Sequence, residues 1–348
     1  MRPTGALVGL VAVVAVCSTA CSKATSAGPH SVPTHTAPSV TGSSTARTPD
    51  VRLSDVRLRA RQVAVLPDGV SRTVAVRRGP RIIILGGLAA GDVTTSRVVS
   101  LDLATRRAST VGSLREAVHD ASGALLNGRA VVFGGGAAQE VSDVQAWTSG
   151  TSGVVGRLSS GRSDSASAVL DGAAYVVGGF DGTGMTRGIL ATNDGRHFRV
   201  AGHLKVGVRY PAVAAAAGAI WVVGGQLATT ASTAAGGQSD AIQRFDPGTG
   251  RTTVVGHLPK TLGHAMAFVL GGQLFLAGGR HGTTATARIW RMDERTGQVT
   301  AAGRLPFAFS DAAAVIVDDQ AWLIGGETSG PTAPLRTVVA VGYRGLSP

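Results

Sequence analysis

Residues 315–326 read Val315-Ile316-Val317-Asp318-Asp319-Gln320-Ala321-Trp322-Leu323-Ile324-Gly325-Gly326: an apolar segment, a two-residue turn, and an apolar run that stops at a glycine doublet. Two apolar segments separated by a pair of turn residues specify a β-hairpin, because residues that tolerate positive φ match the twist of the flanking strands. The same segment occurs five more times. Apolar runs end on doublets beginning at Gly86, Gly134, Gly178, Gly224 and Gly278, at intervals of 44 to 54 residues. Each doublet begins 20 residues after a leucine: Leu66, Leu114, Leu158, Leu204, Leu258 and Leu305. Turn pairs hold the same register, among them Gly79-Pro80, Asn127-Gly128, Asp171-Gly172, Ala217-Gly218 and Gly271-Gly272. A segment that recurs six times in one register is a repeat architecture.

Two further strands follow in most repeats. Arg97–Leu101 and Ala108–Val111 flank a turn at Asp102 and Thr105, and Ile242–Phe245 precedes Asp246-Pro247-Gly248-Thr249-Gly250. Ile289–Met292 precedes Asp293-Glu294-Arg295-Thr296-Gly297 in the same way. Four antiparallel strands in a repeat of this length make a propeller blade. The pattern of apolar run, Gly-Gly, variable loop, strand, Asp-x-x-Thr turn and strand resembles kelch repeats across about residues 57–342. It departs from them where Ala108, Thr252 and Val299 stand in place of a tryptophan. The resemblance implies an all-β, six-bladed kelch-type β-propeller. The last repeat lacks its fourth strand, and Arg61–Val65 is a surplus strand before the first marker leucine. We therefore expect Arg61–Val65 to pair with Leu335–Val341 and close the ring, which removes an exposed edge.

Composition agrees with many short strands. The chain has 348 residues, 44% hydrophobic but only 4% aromatic, with 49 glycines, which argues against a helical bundle. The formal charge is +12, nearly all of it from arginine, which suits an anionic partner such as a cell-envelope polymer. Nucleic acid is excluded as a partner by the lack of interleaved aromatics. Cys17 and Cys21 are the only cysteines, so the region beyond has no disulfide, thiolate metal site or cysteine nucleophile. No cofactor or metal is expected, and the chain is read as a monomer. Gly5–Val16 is an apolar run too short to span a bilayer and suited to a signal peptide. The small residues Ser18, Thr19 and Ala20 leading into Cys21 resemble a bacterial lipobox, with Ser18 where the motif has leucine. Ordinary secretory cleavage is the alternative. The expected domains are a signal peptide (1–20), a lipidated disordered tether (21–50) and the propeller (51–348). The tether is rich in Ser, Thr and Pro, and as a flexible coil it spans roughly 30 Å. The chain would then sit at the outer face of the cell membrane, anchored through Cys21.

Strand parity puts the loop entering the first strand of each repeat and the loop after each doublet at one end. Variable loops mark that end as the functional face. Six residues after each marker leucine stand Arg72, Asp120, Asp164, Tyr210, His264 and Asp311, expected to line a mouth. The loops after the doublets add Phe180, Asp181, Gln226, Arg280, His281 and Glu327. In kelch domains that bind acidic peptides, arginines at the strand entry grip carboxylates. Here only Arg72 keeps that identity, with Arg209 beside the next-but-two position, and three of the six are Asp. Mixed charge with one Tyr favours a glycan or other hydroxyl-rich or zwitterionic ligand. The simpler account is that the Asp side chains cap loop N–H groups.

The expected function is a non-enzymatic binding module for a protein or glycan. The alternatives are a carbohydrate-active enzyme and a structural protein that holds an anionic envelope polymer. A galactose-oxidase-like copper site is excluded, since the propeller has no Cys and only Tyr175, Tyr210 and Tyr343. Sialic-acid epimerases of six-bladed kelch form would need a basic, carboxylate-binding mouth with an acid/base pair, and no motif selects Arg72, Arg209, His264 and Glu327 for that role. No catalytic residue is assigned.

Overall fold

The structure is a computed structural model that describes residues 57–227, 237–328 and 333–344. Cys21, the signal segment and the tether lie outside the described residues. Everything described belongs to the compact unit Val51–Pro348, and it is all-β.

The apolar runs are the second strands of hairpins and carry the core. Arg81–Leu85, Ala173–Val177, Ala219–Val223, Gln273–Ala277 and Gln320–Ile324 are buried along almost their whole length. A strand packed by neighbours on both faces reads as an unbroken apolar run rather than an alternating one, which is why these segments lack period two. Each is flanked in its sheet by a first strand of five residues and a third strand of five to seven. Val74–Arg78, Arg81–Leu85, Arg97–Asp102 and Ala108–Ser113 form one such four-stranded antiparallel sheet. Three more of the same order begin at Ser122, Ala166 and Ala212.

The remaining strands form an eight-stranded sheet made of two sets of four. One set begins with Met266–Leu270. The other combines Ala313–Val317, Gln320–Ile324 and Thr337–Tyr343 with the N-terminal strand Leu58–Val65. Leu58–Val65 pairs antiparallel with Thr337–Tyr343 from Leu58↔Tyr343 to Val65↔Thr337, and it meets the other set only at Leu58↔Gly303. The two ends of the described chain thus share one four-strand set. It spans a slightly longer stretch than Arg61–Val65 with Leu335–Val341.

Two repeated backbone contacts explain the sequence markers. Each marker leucine directly follows a fourth strand, is buried, and donates its N–H to a carbonyl at the start of the third strand or just before it. Leu114 bonds Ser96, Leu158 bonds Ser142, and Leu66 bonds Arg336 across the chain ends. The second doublet glycine donates to a carbonyl four residues past the next marker leucine: Gly87 to Val118, Gly135 to Arg162, and so on to Gly326 to Val70. These bonds stitch each repeat to the next and the last to the first. Glycine is required there. Gly87 has φ +109°, and a Cβ on it would lie 2.6 Å from the Ser71 carbonyl oxygen.

Gly87→Ala should therefore cost about 2 kcal/mol or more through strain and forced movement of backbone. Gly128→Ala, at a turn with open space around it, should cost about 1 kcal/mol from the left-handed backbone alone. Denaturant melts of the two variants check the difference, and equal losses would contradict the stitching role. Deleting residues 57–66 should leave Thr337–Tyr343 as an open edge and cause aggregation; a monomeric deletion variant with unchanged melting would contradict that.

Candidate functional site

The six residues expected at the mouth share one unusual backbone state. Arg72, Asp120, Asp164, Tyr210, His264 and Asp311 all have φ between 52° and 60°. Their peptide groups form a closed ring. Asp120 N–H donates to Arg72 O, Asp164 to Asp120, Tyr210 to Asp164, His264 to Tyr210, Asp311 to His264, and Arg72 back to Asp311, at 2.7 to 3.1 Å. Each loop enters its first strand by turning through the left-handed region, which aims its N–H and C=O sideways at its neighbours. The backbone donors are thereby satisfied by backbone, so the Asp side chains are not spent on capping them.

The side chains instead pair with one another. Arg72 lies 3.0 Å from Glu327 Oε1 and 3.3 Å from Asp120 Oδ2, and it donates to Tyr210 Oη at 3.2 Å. Arg209 meets Asp164 Oδ2 at 2.7 Å and lies over the rings of Phe180 and Tyr210. Arg280 pairs with Glu327 at 3.1 Å and donates to Ser310 Oγ at 2.7 Å. Tyr210 stacks on His264 with centroids 4.0 Å apart. His264 Nδ1 lies 2.6 Å from Asp311 Oδ1, while Gln226 Nε2 donates to its Nε2 at 2.8 Å. Asp120, Asp164, His264, Asp311 and Glu327 are buried. Arg72 keeps 17% of its side chain exposed and Arg280 13%. Arg72 borders an axial cavity of about 110 Å³ lined by the six ring residues and the residue after each.

Burial and crowding separate the four carboxyls. Burial pushes Asp120 and Asp164 up to about 6, against the opposing pull of Arg72 and Arg209. It pushes Glu327 up to about 8, aided by the charge of Asp311 and by a proton shared with it. Burial would raise Asp311 too, but the His264 imidazole, Arg72 and the proton from Glu327 outweigh it and hold Asp311 far below the usual carboxylate range. Arg72 loses hydration on burial, yet Asp120 and Asp311 keep it protonated beyond its ordinary value. The Tyr210 hydroxyl is raised by burial and by Asp120 and Asp164. The two neighbouring carboxyls are thus driven in opposite directions, Glu327 up and Asp311 down.

Ten of the twelve residues expected at the mouth and in its loops converge here, Phe180 through Arg209 and Gln226 through His264. Asp181 and His281 do not. Asp181 is exposed and accepts from the Thr183 and Gly184 N–H groups in its own turn, and exposed His281 contacts Thr261. The sequence reading passed over His119. It precedes Asp120, lies 3.8 Å from that carboxylate and contacts Thr94 Oγ1 at 2.8 Å. The equivalent position before Tyr210 is Arg209, so the position five after each marker leucine could have found both. Among the described residues no group of three His, Cys, Asp or Glu is arranged to hold a metal ion.

No protein-family model matches the chain, and no curated protein does. Among solved structures, that of YjhT matches with a TM-score of 0.68 and 15% identity, covering 80% of this chain and 99% of that one. At that identity the likeness concerns the fold alone, which is β-propeller-like. In all, 959 solved chains match this one, and a fold so widely shared does not select a function.

The carboxyl separation predicts a pH effect. In the unfolded chain Glu327 loses its proton near 4.5, whereas folded Glu327 keeps it to about 8. Its contribution to stability is therefore full below pH 4.5 and is lost as pH rises to about 8. Above about pH 6.5 the Asp120 and Asp164 terms are already spent. The stability lost between pH 6.5 and 8 should then shrink in Glu327→Gln, measured by denaturant midpoints. An identical decline in the variant would show that Glu327 is not the titrating group.

Proposed function

We propose that the chain is a six-bladed kelch-type β-propeller, lipid-anchored through Cys21 at the outer face of the cell membrane, that binds a polar ligand over its axial cluster without turning it over. Six sequence repeats and a six-membered axial ring support the blade count. The observation that carries the binding reading is the small axial cavity lined by Arg72, Tyr210, His264 and the carboxyls of Asp120, Asp164 and Asp311, with Arg209, Arg280 and Glu327 paired to those lining residues. At about 110 Å³, the cavity takes a carboxylate, ammonium or hydroxymethyl group, not a sugar ring, since pockets for whole small molecules run to about 300 Å³ or more. The body of a glycan or peptide ligand would rest on the loops around it.

A second reading is favoured by one observation. His264 Nδ1 lies 2.6 Å from Asp311 Oδ1, and Arg72 and Arg280 each reach both Asp311 and Glu327, whose carboxyls are driven in opposite directions. That arrangement suits proton transfer on a carbohydrate.

A glycan and metabolite screen on the full chain, with turnover monitored, separates the readings. For a bound ligand, Arg280→Lys keeps the charge but loses the planar fork. It should weaken binding about tenfold, about 1.4 kcal/mol, with melting little changed. Unchanged affinity would sink the axial site, and turnover lost in Glu327→Gln would replace binding by catalysis. The ring aspartates are poor probes, because breaking a buried pair costs about 3–5 kcal/mol of stability. Cys21→Ala should release the protein from the membrane fraction; a wild-type protein found soluble and unmodified contradicts the anchor.

A further inference from the structure

Five of the six fourth strands carry a glycine two residues before the marker leucine, and at Gly112, Gly156, Gly202 and Gly256 the turn of the following repeat rests on it. A Cβ at Gly156 would lie 2.4 Å from the Gly195 carbonyl oxygen, one at Gly202 2.6 Å from that of Gly250, and one at Gly256 3.4 Å from that of Gly297. Those turns, residues 193–198, 247–250 and 293–298, are four to six residues long. The first also sends Phe198 inward to meet Phe133 edge-on, with centroids 6.0 Å apart. The turn lying on the first repeat is different. It consists of Ser149 and Gly150 only, between strands Glu140–Thr148 and Thr151–Arg157. Gly150 still approaches Gly112, at 3.3 Å from a Cβ built there, but two residues cannot cover the space beyond.

What remains is a groove of about 490 Å³ between the first and second repeats. Ile83, Val111 and Trp147 give it an apolar floor, and Arg78 and Arg81 stand at its rim with the hydroxyls of Ser100 and Ser149. It lies at the far end of strand Val74–Arg78 from Arg72 and the axial ring. The two guanidiniums are weakly engaged. Arg78 Nη1 to Ser149 Oγ and Arg81 Nη1 to Ser100 Oγ are both 3.5 Å, at the long limit for a hydrogen bond. Neither makes an ion pair among the described residues. Asp102, which interacts with Arg81, commits its Oδ1 to the Ala104 and Thr105 N–H groups. Trp147 is buried, at 4% exposure, and its Nε1–H has no acceptor.

We propose that this groove binds an anionic ligand that joins a phosphate or carboxylate group to a ring. The anion bridges the forks of Arg78 and Arg81, which match its oxygens in pairs. The ring lies on Ile83, Val111 and Trp147, where apolar contact holds it. This site is separate from the axial cluster and does not depend on the binding reading given for it. A free ester and a phosphate-bearing envelope polymer present the same chemistry.

The test uses the full chain labelled at the indole nitrogen, with the Trp147 resonance assigned by Trp147→Phe. Phenyl phosphate should shift that resonance saturably, with Kd about 1 mM, while inorganic phosphate binds more weakly and phenol leaves it unmoved. Arg78→Gln with Arg81→Gln should weaken phenyl phosphate at least tenfold with the melting temperature unchanged. A phosphate-linked oligosaccharide that binds more tightly than phenyl phosphate makes the polymer the source; one that binds less tightly makes it a free ester. Failure of phenyl phosphate to move the Trp147 signal, or equal affinity in the double variant, overturns the proposal.

Discussion

Six peptide groups, each donating to the next around one axis, set the terms for everything else in this fold. The ring can close only if every member turns through the left-handed region, a state that costs a non-glycine residue about 1–2 kcal/mol. All six members are non-glycine, so the strain is carried six times over. It is offset by hydrogen bonds that leave no backbone group unsatisfied at a point where loops from all repeats crowd together. A second belt, from doublet glycines to the following loops, holds the same crowding one layer out.

Because the backbone alone closes the ring, the side chains at these positions are released from structural duty. That accounts for a sequence in which the flanking strands keep one pattern while the six residues differ as widely as Arg, Asp, Tyr and His. It also explains why the cluster is so densely charged. Six side chains forced toward one axis must satisfy one another, and three arginines against four carboxyls do so once Glu327 keeps its proton. The arrangement has little room to spare. An ion in the cluster is both a contact for any ligand and a partner its neighbours need, so stability and recognition are bound together at the axis.

The hairpins, the doublets and the pairing of the two chain ends were legible in the sequence, because each rests on a local requirement. An unbroken apolar run such as Ala219–Val223 must be buried on both faces, and a doublet with positive φ must be glycine. The ring positions were also legible, since a fixed count from a marker leucine survives in any repeat. Less visible were the glycines two residues before five of the six marker leucines, such as Gly156 and Gly202. In the sequence they resemble ordinary weak points in a strand, and only the turn resting on each gives them a reason.

For the candidate site, sequence determined which residues would meet and left open what they would do on meeting. Asp120, Asp164 and Asp311 are the same residue in equivalent places, yet burial raises the first two while His264 and Arg72 hold the third far below its usual range. Protonation depends on distances of a few ångströms among groups that lie from one to more than two hundred residues apart, and no local pattern encodes such distances. Tertiary structure likewise decided that Asp181 and His281 stand apart from the cluster, Asp181 held by its own turn and His281 by Thr261 of a neighbouring loop. The groove above Trp147 comes from a turn two residues long lying against a neighbouring repeat. Sequence shows the length of that turn; only packing shows the space it fails to fill.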